Sequence, residues 1–376
     1  MSQVSSSPEM TAEHPTPSDE VGRKLKFGKN DGFQAELKRR VEEYFRTTGR
    51  RQRDCWRMYL KTAIILTTFV SSYVLLVFFA ATWWQAVPLA LLLAGSTALI
   101  GFNIQHDGGH HAYSDYSWIN KLTSMSLDLI GGSSYLWHWR HAVVHHTYVN
   151  VHGHDTDIDL GDLGRLSPHQ PRLAIHRWQH LYLWLLYGLV AIKWHLFTDF
   201  EQVYSGHVGP HRIPRPRGWD LLIFLGGKLT FVTLAFILPM MFHAWWVVLL
   251  FYALVACVLG VLLSVVFQLA HTVGEAEFPI PTKEAGRIDN PWAVHQVETA
   301  VNFSRKSWVA CWLLGGLNFQ IEHHLFPRIC HTNYPGIADM VQATCKEFGV
   351  RYVEHPSFLA GLASHYRFLR QMGQPA

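Results

Sequence analysis

The sequence predicts an all-α membrane protein that crosses the bilayer four times, as two helical hairpins beneath a cytoplasmic helical cap. Only 16% of its 376 residues are charged, against about 25% in soluble globular proteins, and 49% are hydrophobic. Four apolar runs have the roughly 20 residues that a bilayer crossing takes. They cover residues 61–82, 86–105, 221–243 and 246–270. This pattern excludes an ordinary soluble enzyme.

Basic residues predict which side of the membrane each loop faces. They are absent from residues 62–120 and 229–282, and they crowd before residue 60, over 212–217 and from Lys283 onward. Lys and Arg collect in cytoplasmic loops, so the two short loops that carry Trp83-Trp84 and Trp245-Trp246 are expected outside. The N- and C-termini and the other loops are then cytoplasmic, with a bacterial cell membrane as the expected location.

Composition divides the rest of the chain. Residues 1–20 are predicted to be a disordered tail, 61–355 the membrane domain and 356–376 a C-terminal cytoplasmic extension. Residues 21–60 are basic, and Phe33, Leu37, Val41 and Phe45 recur at helical spacing. They predict an amphipathic helix on the membrane surface, with a solvated juxtamembrane helix as the alternative. The apolar run 181–192 is too short for a span and is predicted to be interfacial or re-entrant.

Histidine is the unusual residue, with 24 in the chain. The pattern HxxxHH occurs twice, at His106, His110 and His111 and at His141, His145 and His146. Further His residues follow at His271 and at His323 and His324. The predicted topology places all of them on the cytoplasmic side. Residues four apart share a helix face, so each pattern predicts side chains that converge on one centre.

The size of this set predicts two metal ions. Neutral imidazole binds iron, zinc, copper and nickel, and eight or nine His exceed what one four-coordinate zinc needs. Neither HExxH nor ExxH occurs, which leaves a di-iron centre with mostly His ligands. Acidic neighbours are predicted to orient the imidazoles, with solvated loop carboxylates as the alternative for each one. They are Asp107, Asp155, Asp157, Asp159 and Glu322.

At this point the sequence resembles the integral-membrane fatty acid desaturases, and more closely the bacterial, cyanobacterial-type front-end acyl-lipid Δ6 subgroup. The likeness runs from about residue 101 to residue 373. Its motifs are HDGGHHAYS (106–114), WRHAVVHHTYVNVHGHD (139–155), FQLAHTVGEAEF (267–278) and GGLNFQIEHHLFPRICHTNYP (315–335). Three His boxes in this order are specific to that family.

The resemblance implies the iron ligands. They would be His106, His110, His141, His145, His146, His271, His323 and His324. His111 is also a candidate, because the family pattern counts a first-box His at either position. Gln320 stands where other membrane desaturases begin the third box with His, and the resemblance leaves open whether it binds iron or only donates a hydrogen bond.

The resemblance also implies the reaction. A cis double bond would enter a fatty acyl chain, lipid- or CoA-linked and already unsaturated, with two iron ions, O2 as co-substrate and two electrons. No cytochrome b5 haem motif His-Pro-Gly-Gly occurs, since His355-Pro356 continues with Ser357. The electron donor is therefore expected to be a separate ferredoxin or cytochrome b5, and nucleic acid is not an expected partner.

Two other functions remain open at this stage. The nearer one is a membrane di-iron hydroxylase of alkanes, sterols or carotenoids. The other is a non-catalytic metal transporter, which should place ionisable residues within its spans. The predicted spans carry almost none, and Lys228 is expected to reach toward the interface.

Overall fold

The computed structural model describes residues 25–29, 32–282 and 286–375. The predicted disordered tail 1–20, the start of the basic segment and Lys283 lie outside the described residues. The described chain is mainly helical. In chain order its principal helices are α1 (Phe33–Thr48), α2 (Trp56–Phe79), α3 (Trp83–Gly109), α4 (Ser117–Ser124), α5 (Ser126–Leu129), α6 (Ser134–Trp137), α7 (Ala174–Ser205), α8 (Trp219–Met240), α9 (Trp245–His271), α10 (Trp292–Glu298), α11 (Trp308–Leu313), α12 (Gln320–Leu325), α13 (Tyr334–Glu347) and α14 (Phe358–Met372).

Two short strand pairs complete the described fold. Strands β1 (His207–Val208) and β2 (His211–Arg212) pair antiparallel, with His207 opposite Arg212. Strands β3 (Asn302–Phe303) and β4 (Glu354–His355) pair in parallel, with Asn302 opposite Glu354. The second pair joins the segment after α10 to the segment before α14.

Five described helices are long and apolar enough to cross a membrane: α2, α3, α7, α8 and α9. Four of them cover most or all of the four predicted spans, which confirms a helical protein with several candidate membrane helices. The fifth, α7, contains the apolar run 181–192. It reaches 32 residues because a 3-10 turn (Ala174–Trp178) and a π-helical turn (Trp194–Thr198) extend the α-helix at its two ends. A helix of this length is longer than the sequence predicted.

Helix α7 packs closely along α9. A Cβ atom at Gly260 of α9 would lie 2.5 Å from the carbonyl oxygen of Tyr187, so only glycine allows this approach. Helix α14 covers the same region, and Tyr187 bonds His365 of α14 at 2.8 Å. The segment predicted as a C-terminal extension is therefore packed into the body of the protein.

Helix α1 has the amphipathic pattern that the sequence predicted, but its apolar face is covered by protein. Phe33 and Leu37 pack with Val341 and Cys345 of α13 in one buried cluster. Val41 and Phe45 pack with residues of α13 in a second cluster. The apolar stripe is therefore not available to a lipid surface, which corrects that prediction for this face of the helix.

We call the body formed by residues 32–55, 110–173, 272–282 and 286–375 the cap. Both ends of α7 contact it. At the first end His176 Nε2 bonds the carbonyl oxygen of Asp162 at 3.0 Å. Beyond the second end, Val208 lies in a buried cluster with Val144 and Val151. The two ends of α7 are thus held by the same part of the protein.

Lys228 of α8 does not reach toward the interface as predicted. Its side chain is 7% exposed. The ammonium group donates to the carbonyl oxygen of Gly131 at 2.7 Å and to Asp199 Oδ2 at 2.9 Å. Asp199 lies in α7, so this lysine joins two apolar helices instead of snorkelling.

Candidate metal centre

The structure gathers seven His residues into two adjoining groups. Within each group every residue offers a ring nitrogen, and these nitrogens lie within 4.8 Å of one another. Site A consists of His106, His110, His141 and His323. Site B consists of His145, His271 and His324. Site A takes residues from all three His motifs, whereas site B takes residues from the second and third motifs and from the end of α9. The four segments therefore converge, as the sequence predicted.

His146 lies between the two sites. Its ring centroid is 4.5 Å from that of His110 and 4.6 Å from that of His323, both in site A. It is 4.4 Å from that of His324 in site B. Both of its ring nitrogens are buried and have no hydrogen-bond partner among the described residues. This imidazole is therefore placed to bind an ion in either site.

The second His motif lies on a π-helix and not on the predicted α-helix. The π-helical turn spans His138–His145 and continues into a short α-turn from His146. A π-helix bonds residue i to i+5 and widens the turn, a feature frequent at functional sites. His141 reaches site A and His145 reaches site B. The two residues also converge as their spacing predicted, because together with Asp157 they form a further group whose donor atoms lie within 4.8 Å of one another. A second π-turn, Ile100–Gln105, precedes His106 in α3.

The chemistry of the donors fits metal ions. The Nε2 atoms of His106, His110, His141, His145 and His323 are buried and have no hydrogen-bond partner among the described residues. A buried polar atom without a partner costs about 1–3 kcal/mol, and bound metal ions would satisfy these atoms together with the two of His146. Burial lowers the pKa of the site A residues His110, His141 and His323 well below the usual value. The imidazoles are therefore neutral and offer lone pairs.

Hydrogen bonds on the outer side fix the orientation of the site B rings. His145 Nδ1 bonds Asp155 Oδ2 at 3.1 Å, and His271 Nδ1 bonds the carbonyl oxygen of Thr299 at 3.2 Å. His324 Nδ1 bonds Gln296 Oε1 at 3.0 Å. Donation from Nδ1 leaves the lone pair on Nε2, which is the usual arrangement of metal-binding His.

Asp155 also acts electrostatically on His145. Burial opposes protonation, but the Asp155 carboxylate raises the pKa of His145 above its ordinary value. The same carboxylate accepts a hydrogen bond from the backbone N–H of Asn150 at 2.9 Å. Of the acidic residues predicted to orient imidazoles, Asp155 makes this contact directly. Asp157 lies farther off, 3.8 Å from His145 Nδ1, and Asp159 is exposed.

Gln320 lies beside site B. Its amide nitrogen donates to His271 Nε2 at 2.9 Å and lies 3.2 Å from His324 Nε2. Its carbonyl oxygen is buried without a partner among the described residues. The side chain therefore contacts the lone pairs that a site B ion would use.

Three other predicted site residues lie elsewhere. His111 is exposed, adopts a left-handed backbone conformation with φ 58° and joins neither site. Asp107 bonds His331 Nδ1 at 2.8 Å, and Glu322 accepts from Asn302 Nδ2 at 2.7 Å and from the Tyr352 hydroxyl. Neither carboxylate is hydrogen-bonded to an imidazole of site A or B.

Sequence reasoning missed several neighbours of the centre. The most important is Trp137, whose ring centroid is 4.7 Å from His141, 5.1 Å from His110 and 5.7 Å from His106. Gln296 and Thr299, which orient His324 and His271, were also missed. They lie in a segment without a recognisable motif. His331 and Tyr334 were visible inside the motif of residues 315–335, but nothing in their spacing indicated a role.

A polytopic helical protein with two adjoining groups of buried imidazoles belongs to the class of membrane proteins with a His-rich metal centre. The family model described as fatty acid desaturase matches residues 81–356. The chain therefore belongs to the fatty acid desaturase family, and it is a membrane oxidoreductase that acts on fatty acyl lipids.

The chain is similar over most of its length to proteins that are named for their regioselectivity. It is 39% identical to the sn-1 linoleoyl-lipid 6-desaturase of Arthrospira platensis, covering 93% of this chain and 95% of that protein. It is 37% identical to the protein of the same name from Synechocystis sp., covering 94% and 99%. An acyl-lipid (8-3)-desaturase of Physcomitrium patens is also 37% identical, covering 92% and 72%.

Proposed function

We propose that this protein is a front-end desaturase that places a cis double bond in an unsaturated acyl lipid, with one iron ion in each of sites A and B. When bound, the iron pair would supply the oxidising chemistry that O2 and two electrons provide, which no side-chain acid or base can supply for an unactivated methylene. The observation that carries the proposal is the pair of adjoining imidazole groups with unpartnered buried nitrogens in a chain of this family.

Each side chain of the centre has a defined part in this proposal. His106, His110, His141 and His323 would hold the site A ion, and the three site B residues would hold the other. His146 would complete either site, because its ring lies between them. We leave His111 out of the ligand set because it is exposed and belongs to neither group.

Gln320 supports a front-end assignment through its contacts. The resemblance associates Gln at this position with the front-end subgroup, and here its amide bonds two site B imidazoles. An amide in place of a histidine donates a hydrogen bond and removes one strong ligand. We propose that Gln320 tunes site B, either as a weak oxygen ligand or through a bound water.

An apolar cavity gives the acyl chain a place to lie. It has a volume of about 550 Å³ and lies among α2, α3, α8 and α9, lined mostly by aliphatic and aromatic side chains. Its inner end is bordered by Leu129 and Ile130. Ile130 belongs to the same buried cluster as Trp137, and Trp137 packs on site A. Apolar side chains therefore connect the cavity to the centre.

Linoleoyl lipid is the proposed substrate, because the two cyanobacterial relatives are named for that substrate and for position 6. A front-end enzyme sets the position of the new double bond by its distance from the carboxyl end of the acyl chain. The cavity must therefore accept the part of the chain that lies beyond this position, toward the methyl end. The cavity between the hairpins is suited to this, since it extends along the membrane helices away from the cap, to Trp83 and His243.

The proposed topology has four crossings with both termini cytoplasmic. Helices α2, α3, α8 and α9 would cross, and α7 would lie at the membrane interface with both of its ends on the cap side. Contacts at the two ends of α7 support this assignment, because both ends touch the cap. Electrons would arrive on the cap side from a separate ferredoxin or cytochrome b5.

The test is expression in a bacterium that makes no polyunsaturated lipids, with linoleate supplied and products mapped by mass spectrometry. A new double bond at position 6 is expected, and His141→Ala should abolish it while the protein is still inserted. A new hydroxyl group instead of a double bond would favour the hydroxylase alternative. Purified protein is expected to contain about two irons per chain, and desaturation that persists in His141→Ala would overturn the ligand assignment.

A further inference from the structure

Lys61 of α2 is buried beside the first His motif. Its side chain is 5% exposed, and Nζ lies 3.0 Å from His331 Nε2. The ammonium group also lies over the ring of Trp312, at 5.3 Å from the centroid. An ionisable residue in an apolar membrane helix is costly and usually marks a functional contact.

His331 links this lysine to Asp107. Its Nδ1 bonds Asp107 Oδ2 at 2.8 Å, and its backbone N–H lies 3.3 Å from the same oxygen. Asp107, Cys330 and His331 also have the spacing of a metal site. Both ring nitrogens of His331 are already occupied, one by an ammonium group, so this cluster is a hydrogen-bonded chain of Lys, neutral His and carboxylate and not a third metal site.

A second buried lysine makes an equivalent connection to the second His motif. Lys228 Nζ bonds Asp199 Oδ2 at 2.9 Å. The other oxygen of Asp199 lies 3.9 Å from Nη1 of Arg140. Arg140 is 5% exposed and stacks on Trp194 at 4.2 Å. This network joins α8, α7 and the π-helix that carries the second motif.

Each network ends on the residue next to an iron ligand of the proposed site. Asp107 follows His106, and Arg140 precedes His141. Both ligands belong to site A, and their ring centroids are 5.3 Å apart. A buried carboxylate or guanidinium is stable only when it is paired, so each lysine restricts where the neighbouring backbone can lie.

We propose that Lys61 and Lys228 are positioning residues that hold His106 and His141 in register for site A. This inference rests on the proposed metal assignment. Removal of the Lys61 ammonium group leaves the Asp107 carboxylate without a nearby cation, whereas removal of the Lys228 ammonium group leaves Asp199 with Arg140 alone, 3.9 Å away. In both cases we expect the adjoining His motif to shift. We expect metal affinity or turnover to fall by about 10–100-fold, the range found when residues that orient metal ligands without touching the metal are replaced.

The experiment compares Lys61→Met, Lys61→Arg and Lys61→Gln with Lys193→Met, an exposed lysine of α7. Iron per chain, the Mössbauer spectrum and thermal unfolding are measured on detergent-purified protein, and kcat and KM are measured with an added electron donor. Lys61→Met is expected to lose iron from site A and to lower kcat with KM little changed. Lys61→Arg should restore most of the iron, and Lys193→Met should behave as wild type.

Lys61→Gln keeps a donor for His331 but lacks the charge, so it remains informative if Lys61→Met fails to fold. Full iron content, an unchanged spectrum and wild-type kcat in Lys61→Gln would overturn the role of Lys61. Lys228→Met and Lys228→Arg test the second network in the same way. Wild-type protein without iron would instead overturn the proposed metal centre, so the two failures are distinguishable.

Discussion

The Nε2 atoms of His271 and His324 lie 3.3 Å apart, although 53 positions separate the two residues in the chain. Each ring donates from Nδ1 to a fixed acceptor, so each Nε2 carries a lone pair. Two lone pairs at this distance repel unless a donor or a cation lies between them. The amide of Gln320 contacts both, and a metal ion would satisfy both more strongly.

His324→Ala should remove the site B ion while leaving site A. We expect the iron content to fall from about two to about one per chain and desaturation to fall by about 100-fold or more. Replacing a residue that only orients a metal ligand already lowers metal affinity or activity by about 10–100-fold. The matched control is His111→Asn, because Asn tolerates the left-handed backbone there. Elemental analysis and product mapping measure both variants. Two irons and full activity in His324→Ala would contradict the assignment.

Gly109→Ala should disturb the centre through Trp137. A Cβ atom at Gly109 would overlap the indole ring of Trp137, which packs on three site A imidazoles. Overpacking of this kind costs about 1–3 kcal/mol. We expect a lower unfolding temperature together with lower activity. Gly95→Ala in the same helix is the control, because no described atom lies within 4 Å of the place that its methyl group would take, so the helix should tolerate it.

Ala86→Leu should shorten the acyl chain that the cavity accepts. Ala86 is 8% exposed and lines the cavity near its outer end, whereas Leu92 of the same helix is 48% exposed and does not line it. We expect the ratio of activity on shorter to longer chains to rise by about tenfold, since a methylene in an apolar pocket is worth about 1–3 kcal/mol. Competition between hexadecadienoate and linoleate measures the ratio. Leu92→Phe should leave the ratio unchanged, and an unchanged ratio in Ala86→Leu would place the chain elsewhere.

Glu322 should make the metal-free protein more stable at acidic pH. Burial raises the pKa of its carboxyl group from the ordinary value of 4.5 to about 7, although Asn302 and Tyr352 donate hydrogen bonds to it. The folded state therefore holds the proton more tightly than the unfolded state does. This contribution is complete below about pH 4.5 and is lost as the pH rises to about 7, by up to about 3 kcal/mol.

Unfolding temperatures from about pH 5 to about pH 8 in chelator-treated protein test this prediction. The stability of the wild-type protein relative to Glu322→Gln should fall as the pH rises over this range, because the amide does not ionise. Buried imidazoles with lowered pKa values act in the opposite direction in both proteins, so only this difference reports on Glu322. The exposed Glu42→Gln is the control and should follow the wild-type curve. A Glu322→Gln curve that runs parallel to the wild-type curve would show that the carboxyl group is ionised in the folded protein.

Four of the five candidate membrane helices could be predicted from the sequence because their apolar runs are long, whereas the apolar run of α7 is short and its full helix was not predicted. The ends of these four helices could not be predicted, since α3 continues past the predicted end at Gln105 to Gly109 and carries His106 on the same helix. The buried contacts of Lys228 were also missed. Their partners, Gly131 and Asp199, are distant in sequence.

The structure brings together most of the His residues that the sequence singled out, but their division into two sites was not predicted. His141 and His145 remain close to each other, as a spacing of four residues predicted, yet the π-helix also lets His141 join site A and His145 join site B. No hydrophobic or polar pattern distinguishes a π-turn from an α-turn in advance. Likewise, the acidic residues around the motifs are alike in sequence. Only the packing shows that Asp155 bonds His145 of site B, whereas Asp107 bonds His331, which belongs to neither site.

The dispersal of site B along the chain determines when an ion can be captured during biosynthesis. His145 leaves the ribosome well before His271, and His324 emerges only after the last apolar helix has been made. At about 5–20 residues per second, roughly 10–35 seconds pass between the first and the last of these residues. An ion that needs all three site B residues can therefore be captured only late, and a nascent chain halted before residue 320 would hold an incomplete cluster that a competing divalent ion could occupy.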